Sequence, residues 1–233
     1  MTAALTTIAF DADDTLWHNE TFFRLTQDRF AALLADYAPR DHLDERLLAA
    51  ERRNLGHYGF GIKGFILSMI ETAIEVTDEK VPARVIRELV DCGREMLRHP
   101  IELLPEVEQT VRALAPDFRL LVITKGDLLD QERKVAQSGL GDLFQGVEIV
   151  SDKTPAAYDA IFQRHTEGAA QTMMVGNSVK SDILPVLALG AWGVHVPHGI
   201  TWALDHAETP LGHPRFCTVP SVGRVVALAH TLA

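Results

Sequence analysis

Asp11, Asp13 and Asp14 place three carboxylates within four residues, directly after the apolar run Thr6–Phe10. A strand that ends in such a cluster carries an electrostatic problem, because buried charges need partners and neighbouring like charges resist joint ionisation. A divalent cation with oxygen ligands is the simplest solution. The same geometry offers chemistry: one carboxylate can act as a nucleophile and a second as general acid and base. A solvated acidic turn, or a helix start capped by Asp and Thr, is the alternative that this segment alone leaves open.

Three later segments repeat the pattern of an apolar run followed by reactive polar residues. Phe118–Ile123 ends at Thr124-Lys125-Gly126-Asp127, Val147–Val150 at Ser151-Asp152-Lys153-Thr154, and Thr172–Val175 at Gly176-Asn177-Ser178-Val179-Lys180-Ser181-Asp182. In an open parallel sheet, ligands bind beyond the carboxyl ends of the strands. All four segments are therefore expected to converge on one crevice.

In these four segments the chain resembles the haloacid dehalogenase-like (HAD) hydrolase superfamily. Asp11-Ala12-Asp13-Asp14-Thr15 is similar to that superfamily's D-x-D-x-T signature, Thr124 to its second motif, Lys153 to its third and Gly176–Asp182 to its fourth. Short motifs are weak singly; four in family order are specific. The resemblance implies Asp11 as nucleophile forming an aspartyl-phosphate, and Asp13 as acid toward the leaving oxygen and base toward water. It implies Thr124 and Lys153 as phosphate-binding groups. It further implies Mg²⁺ held by Asp11, the backbone carbonyl of Asp13, and Asp182. Asn177 stands where many relatives carry Asp, so it is expected beside the metal, adding no charge. The leading expectation is a phosphatase acting on a small phosphomonoester. The alternatives are a phosphomutase or phosphotransferase, a 2-haloacid dehalogenase, and a non-catalytic binding protein. A dehalogenase has no oxyanion leaving group to protonate, so Asp13 is the discriminating residue.

The elements that must position these residues follow from periodicity. After residue 98 the pattern alternates strand and helix, which predicts a parallel sheet with helices on both faces. Residues 18–98 instead carry helical spacing at Phe22-Phe23, Phe30 and Leu33-Leu34, across Asp44–Arg53, Ile62–Val76 and Val85–Leu97. The expected architecture is a Rossmann-like α/β core, residues 1–17 and 99–233, interrupted by an α-helical cap, residues 18–98. The tail reads as an edge strand near Phe216 and a closing helix up to Leu232. Within the cap, Gly56–Phe65 holds four glycines and reads as a loop between helices; His57, Tyr58 and Lys63 are its candidate substrate contacts. His195 is expected to be a satisfied core residue, and His198 and Trp202 to edge the crevice. Lys125 reads equally well as a site or a surface residue.

Composition narrows the function classes. Hydrophobic residues make up 47% of the 233-residue chain and the formal net charge is −10, which argues against a general nucleic-acid binder. No apolar run is long enough to span a bilayer and the N-terminus has no signal-peptide pattern. The two cysteines are expected to be free thiols in a reducing cytosol. A cytoplasmic enzyme acting on a phosphorylated metabolite, as monomer or homodimer, is the expectation.

Overall fold

In the computed structural model, which describes residues 4–233, six parallel strands form one sheet: β1 (Thr7–Phe10), β2 (Arg119–Lys125), β3 (Gly146–Val150), β4 (Thr172–Gly176), β5 (Trp192–His195) and β6 (Phe216–Thr218). Their order is β3-β2-β1-β4-β5-β6. The first strand lies inside the sheet, with Phe10 level with Val122 on one side and Val175 on the other. Its four residues are all buried, as a near-continuous apolar run in a covered parallel strand should be. Buried residues pack on both faces. Ile8 and Phe10 join Val111, Leu114 and Val122 in one cluster, and Ala9 joins Leu121, Tyr158, Phe162 and Met174 in the other. This is a Rossmann-type α/β fold, as expected from the alternation of strand and helix.

The chain separates into two compact units. One holds the sheet: the N-terminal segment up to Asn19, Ile101–Lys125 and Gln131–Ala233. The other comprises Glu20–Pro100 together with Gly126–Asp130. The second unit is built from α1 (Glu20–Leu33), α2 (Arg40–Tyr58), α3 (Ile62–Val76) and α4 (Ala83–Arg98), around a core that includes Phe30, Leu43, Leu47, Phe65, Met69 and Leu89. The sheet unit's helices are α5 (Val107–Leu114), α6 (Leu128–Gln137, whose first turn groups with the helical unit), α7 (Pro155–His165), α8 (Leu184–Leu187) and α9 (Val225–Leu232). Among the described residues, no helix is long and apolar enough to cross a membrane.

The glycine-rich stretch in the helical unit departs from its expected loop. Helix α2 continues through His57 and Tyr58, and α3 begins at Ile62, so only Gly59-Phe60-Gly61 lie between them. Gly59 (φ 72°) and Gly61 (φ 115°) make the reversal, in conformations that side chains disfavour. Gly64 is helical and serves close packing, since a Cβ there would lie 2.9 Å from the Gly59 carbonyl oxygen.

Candidate active site

The acidic segment leaves β1 and folds back at once. Asp14 adopts the left-handed conformation (φ 60°), which Asp tolerates better than most residues, and its Oδ1 accepts from the Asn19 N–H at 2.9 Å. The Leu16 N–H donates to the Ala12 carbonyl at 2.8 Å, and the Asp14 N–H to the Trp17 carbonyl at 2.7 Å. Trp17 is fully buried under this loop. Asp11 and Asp13 are thereby fixed by backbone bonds and one large apolar anchor.

Asp11 and Asp182 meet on Lys153. The Lys153 Nζ donates to Asp11 Oδ1 and, at 2.7 Å, to Asp182 Oδ1; all three side chains are buried. Lys153 comes from the link between β3 and α7, where Thr154 caps the helix by accepting from the Ala157 N–H at 3.2 Å and Pro155 opens it. Asp182 comes from a single wide turn, Val179–Ile183, of the kind that interrupts helices at functional sites. It does not cap α8. Ser178 caps the turn instead, its Oγ accepting from the Ser181 N–H at 3.0 Å, while the Ser178 N–H donates to Asp182 Oδ2 at 2.9 Å. Gly176 explains itself here: a Cβ at that position would lie 2.2 Å from Asp182 Oδ2.

The electrostatics follow. Burial raises Asp11 most, the Asp182 charge adds to it, and Lys153 pulls the other way, leaving the carboxyl at about 7 against an ordinary 3.8. Burial opposes the charge of Lys153, yet Asp11 and Asp182 outweigh it and hold the ammonium well above 10.5.

The second oxygen of Asp11 has different company. Oδ2 accepts from the Thr15 hydroxyl at 3.0 Å and lies beside the Asn177 amide. With its nitrogen turned inward, Asn177 donates to Asp11 Oδ2 at 3.1 Å, to Thr15 Oγ1 at 3.2 Å and to the Asp13 carbonyl at 3.3 Å. With its oxygen turned inward, Asn177 Oδ1 instead accepts from the Thr15 hydroxyl at 3.2 Å and lies with oxygens of Asp11 and Asp13, a set that a cation would bridge. Hard oxygen donors of this kind suit Mg²⁺, so the residues fit such an ion. The Asp182 carboxylate, by contrast, is already engaged by Lys153 and Ser178. Among the described residues no group of three or more His, Cys, Asp or Glu forms a metal cluster; the converging set depends on a backbone carbonyl and an amide. The backbone carbonyl of Asn177 accepts from His195 Nε2 at 3.1 Å, and burial keeps that imidazole pKa below its ordinary value. His195 is thus a hydrogen-bonded support of the site.

Asp13 keeps separate partners. Its Oδ1 accepts from Trp17 Nε1 at 2.7 Å and from Lys134 Nζ at 2.9 Å, and its Oδ2 from Gln131 Nε2 at 2.8 Å. Burial works against its charge, but Lys134 and the hydrogen bonds from Lys134, Gln131 and Trp17 bring its pKa below 3.8. Thr124 is the penultimate residue of β2, level with Ile149 of β3, and is buried. The next residue, Lys125, is not a solvated surface residue. Its Nζ reaches Ser181 Oγ at 2.8 Å and Asp205 Oδ1 at 2.9 Å, tying the segment after β5 to the strand ends. His198 lies 3.6 Å from Asp14 Oδ1.

The candidate residues of the helical unit are tied within that unit. The Tyr58 hydroxyl donates to Glu71 Oε1 at 2.6 Å, Lys63 Nζ lies 3.4 Å from Asp127 Oδ1, and His57 is exposed. Motif reading included Thr15 without giving it a role, and it missed Trp17, Gln131 and Lys134. The signal available was faint: Gln131 and Lys134 sit three apart on α6, on one helix face.

Residues 5–190 match the sequence profile of the haloacid dehalogenase-like hydrolases, and the chain belongs to that family of enzymes. Among solved structures, it is similar to a haloacid dehalogenase-like family hydrolase from Xanthomonas campestris, with 41% identity, a TM-score of 0.88, and coverage of 98% of this chain and 92% of that one. Two more distant structures share the fold. The HAD-hydrolase YfnB from Bacillus subtilis, bound to magnesium, has 14% identity, a TM-score of 0.69, and coverage of 97% and 99%. The L-2-haloacid dehalogenase from Xanthobacter autotrophicus, with chloropropionic acid covalently bound, has 18% identity, a TM-score of 0.65, and coverage of 98% and 100%. No curated protein matches the sequence.

Proposed function

We propose that this hydrolase is a Mg²⁺-dependent phosphatase that cleaves a small phosphomonoester through an aspartyl-phosphate on Asp11. The observation that carries the reading is the second carboxylate. Asp13 has its own donors, distinct from those of Asp11, and a reaction expelling an alkoxide needs such a group whereas one expelling halide does not. Asp11 attacks phosphorus while Lys153 holds its other oxygen and offsets charge in the buried site. Thr124 would donate to a phosphoryl oxygen. An arriving phosphate raises the proton affinity of Asp13 by like-charge repulsion; Asp13 then protonates the leaving oxygen and later takes a proton from the attacking water. Asp11, the Asp13 carbonyl and Asn177 would hold Mg²⁺, with Asp182 positioned behind through Lys153. The ion would supply charge neutralisation for the phosphoryl oxygens. His57, Tyr58 and Lys63 are proposed to select the substrate. We place the enzyme in the cytoplasm, acting on a soluble metabolite with no nucleic-acid or membrane partner.

One observation favours a second reading, dehalogenation at carbon. With its amide nitrogen inward, Asn177 satisfies Asp11 Oδ2 without any cation. A screen of phosphorylated metabolites and 2-haloacids, each with Mg²⁺ and with EDTA, separates the two. Phosphate release that EDTA abolishes supports the phosphatase; halide release that survives EDTA overturns it.

A further inference from the structure

Lys134 is 5% exposed on α6, and burying an ammonium is costly unless its partners matter. Its Nζ bonds Asp13 Oδ1 at 2.9 Å and Asn19 Oδ1 at 2.9 Å. Gln131, one turn earlier, bonds Asp13 Oδ2 at 2.8 Å and the Lys125 carbonyl at 2.9 Å through the same nitrogen. Trp17 Nε1 supplies the third donor at 2.7 Å. A carboxylate has about four acceptor positions. Two are taken on Oδ1 and one on Oδ2, and the side chain keeps 22% exposure. The remaining lone pair is on Oδ2.

We propose that Lys134, with Gln131 and Trp17, is a positioning residue that fixes the Asp13 carboxylate so that one lone pair of Oδ2 is presented to the leaving oxygen and then to water. The proposal rests on the phosphatase reading for the reaction it serves. Lys134 does not touch substrate; it acts through Asp13. Without it the Asp13 side chain regains several of its roughly six staggered χ1 and two-fold χ2 states, and misplacing a catalytic group by about 1 Å costs on the order of 10²-fold. Together these give a loss of about 10- to 100-fold for a step that needs proton transfer.

The test has two arms on the full chain. In the first, Lys134→Met and Lys134→Arg are assayed with Mg²⁺ on an alkyl phosphate and on p-nitrophenyl phosphate, whose leaving group departs without a proton. Lys134→Met is expected to lose about 10- to 100-fold in kcat/KM, which reports the steps up to departure of the leaving group, on the alkyl ester and under 5-fold on the aryl ester, with Lys134→Arg recovering most of the loss. Equal losses on both esters overturn the positioning role. In the second, the Trp17 indole N–H resonance, assigned by its loss in Trp17→Phe, is followed by NMR without substrate. Lys134→Met should shift or broaden it and Lys134→Arg should retain it; an unchanged resonance in Lys134→Met overturns the cradle. This arm needs no turnover, so wild-type protein inert toward every phosphomonoester removes the phosphatase reading and leaves the cradle to be decided by the indole. Gln131→Leu breaks the same cradle from the other oxygen, with the same expected results, if Lys134→Met does not fold.

Discussion

Replacing Lys153 with Met keeps the length of the side chain and removes its charge. In the sheet unit this ammonium is shared by Asp11 and Asp182, with the Asp182 contact at 2.7 Å. Without it two buried carboxylates face each other with no ammonium between them. Removing one partner of a buried charge group costs about 3–5 kcal/mol, so Lys153→Met should lose about 3–5 kcal/mol at pH 7 in EDTA by urea unfolding. Wild-type Asp11 titrates at about 7, so below pH 6 both proteins carry a proton on the pair and the loss should be flat. Above pH 7 the wild type releases that proton while the variant must keep it, and the loss should grow by about 1.4 kcal/mol per pH unit toward pH 9. The pH dependence is the sharper part, because mere loss of packing has no reason to vary between pH 6 and pH 9. A loss below about 1 kcal/mol, or one that is the same at pH 6 and pH 9, refutes the claim that Lys153 compensates two buried carboxylates.

Gly176→Ala should displace the Asp182 carboxylate, since its Cβ would lie 2.2 Å from Oδ2; the expected cost is about 1–3 kcal/mol in urea unfolding with a large fall in kcat, whereas Gly141→Ala, whose Cβ meets only Val135 at 3.8 Å, should change neither. Asp205→Asn should cost about 1–3 kcal/mol at pH 7, between the values for exposed and buried pairs. Burial opposes the Asp205 charge, but Lys125, Ser181 and Ser178 hold its pKa below 3.8. Its stabilisation is thus present above pH 4 and lost as pH falls further, so melting curves of wild type and variant should converge in acid. Exchanging Tyr58 for Phe or Lys63 for Met should alter preference among phosphorylated metabolites more than turnover of p-nitrophenyl phosphate; equal falls in kcat/KM for both would assign those residues to packing.

The legible part of this protein was whatever its chemistry demands at strand ends. Asp11, Thr124, Lys153 and Asp182 each follow an apolar run, and the parallel sheet brings those runs to a common edge. The glycine-rich stretch was read as a longer loop than the chain makes, because Gly56 and Gly64 are helical and only Gly59 and Gly61 need positive φ. The wide turn that carries Asp182 before α8 is capped by Ser178, and nothing in the apolar spacing announced it. The cradle around Asp13 was not legible. Gln131 and Lys134 contact a residue 118 and 121 positions away, and only the rotation of α6 against the Asp11–Trp17 loop decides that they do. The Lys125–Asp205 pair was hidden for the same reason, 80 residues apart across the sheet.

The central claim is that phosphate passes through Asp11. Asp13→Asn leaves the nucleophile in place and removes the base for the second step, so phosphoenzyme should accumulate when this variant turns over p-nitrophenyl phosphate with Mg²⁺. Acid quenching within a single turnover, followed by peptide mass spectrometry, reads the result directly. The account predicts one phosphoryl group on the peptide carrying Asp11, absent in the Asp11→Asn, Asp13→Asn double variant. Release of nitrophenol with no phosphorylated peptide, or with the phosphoryl group on another residue, would contradict it.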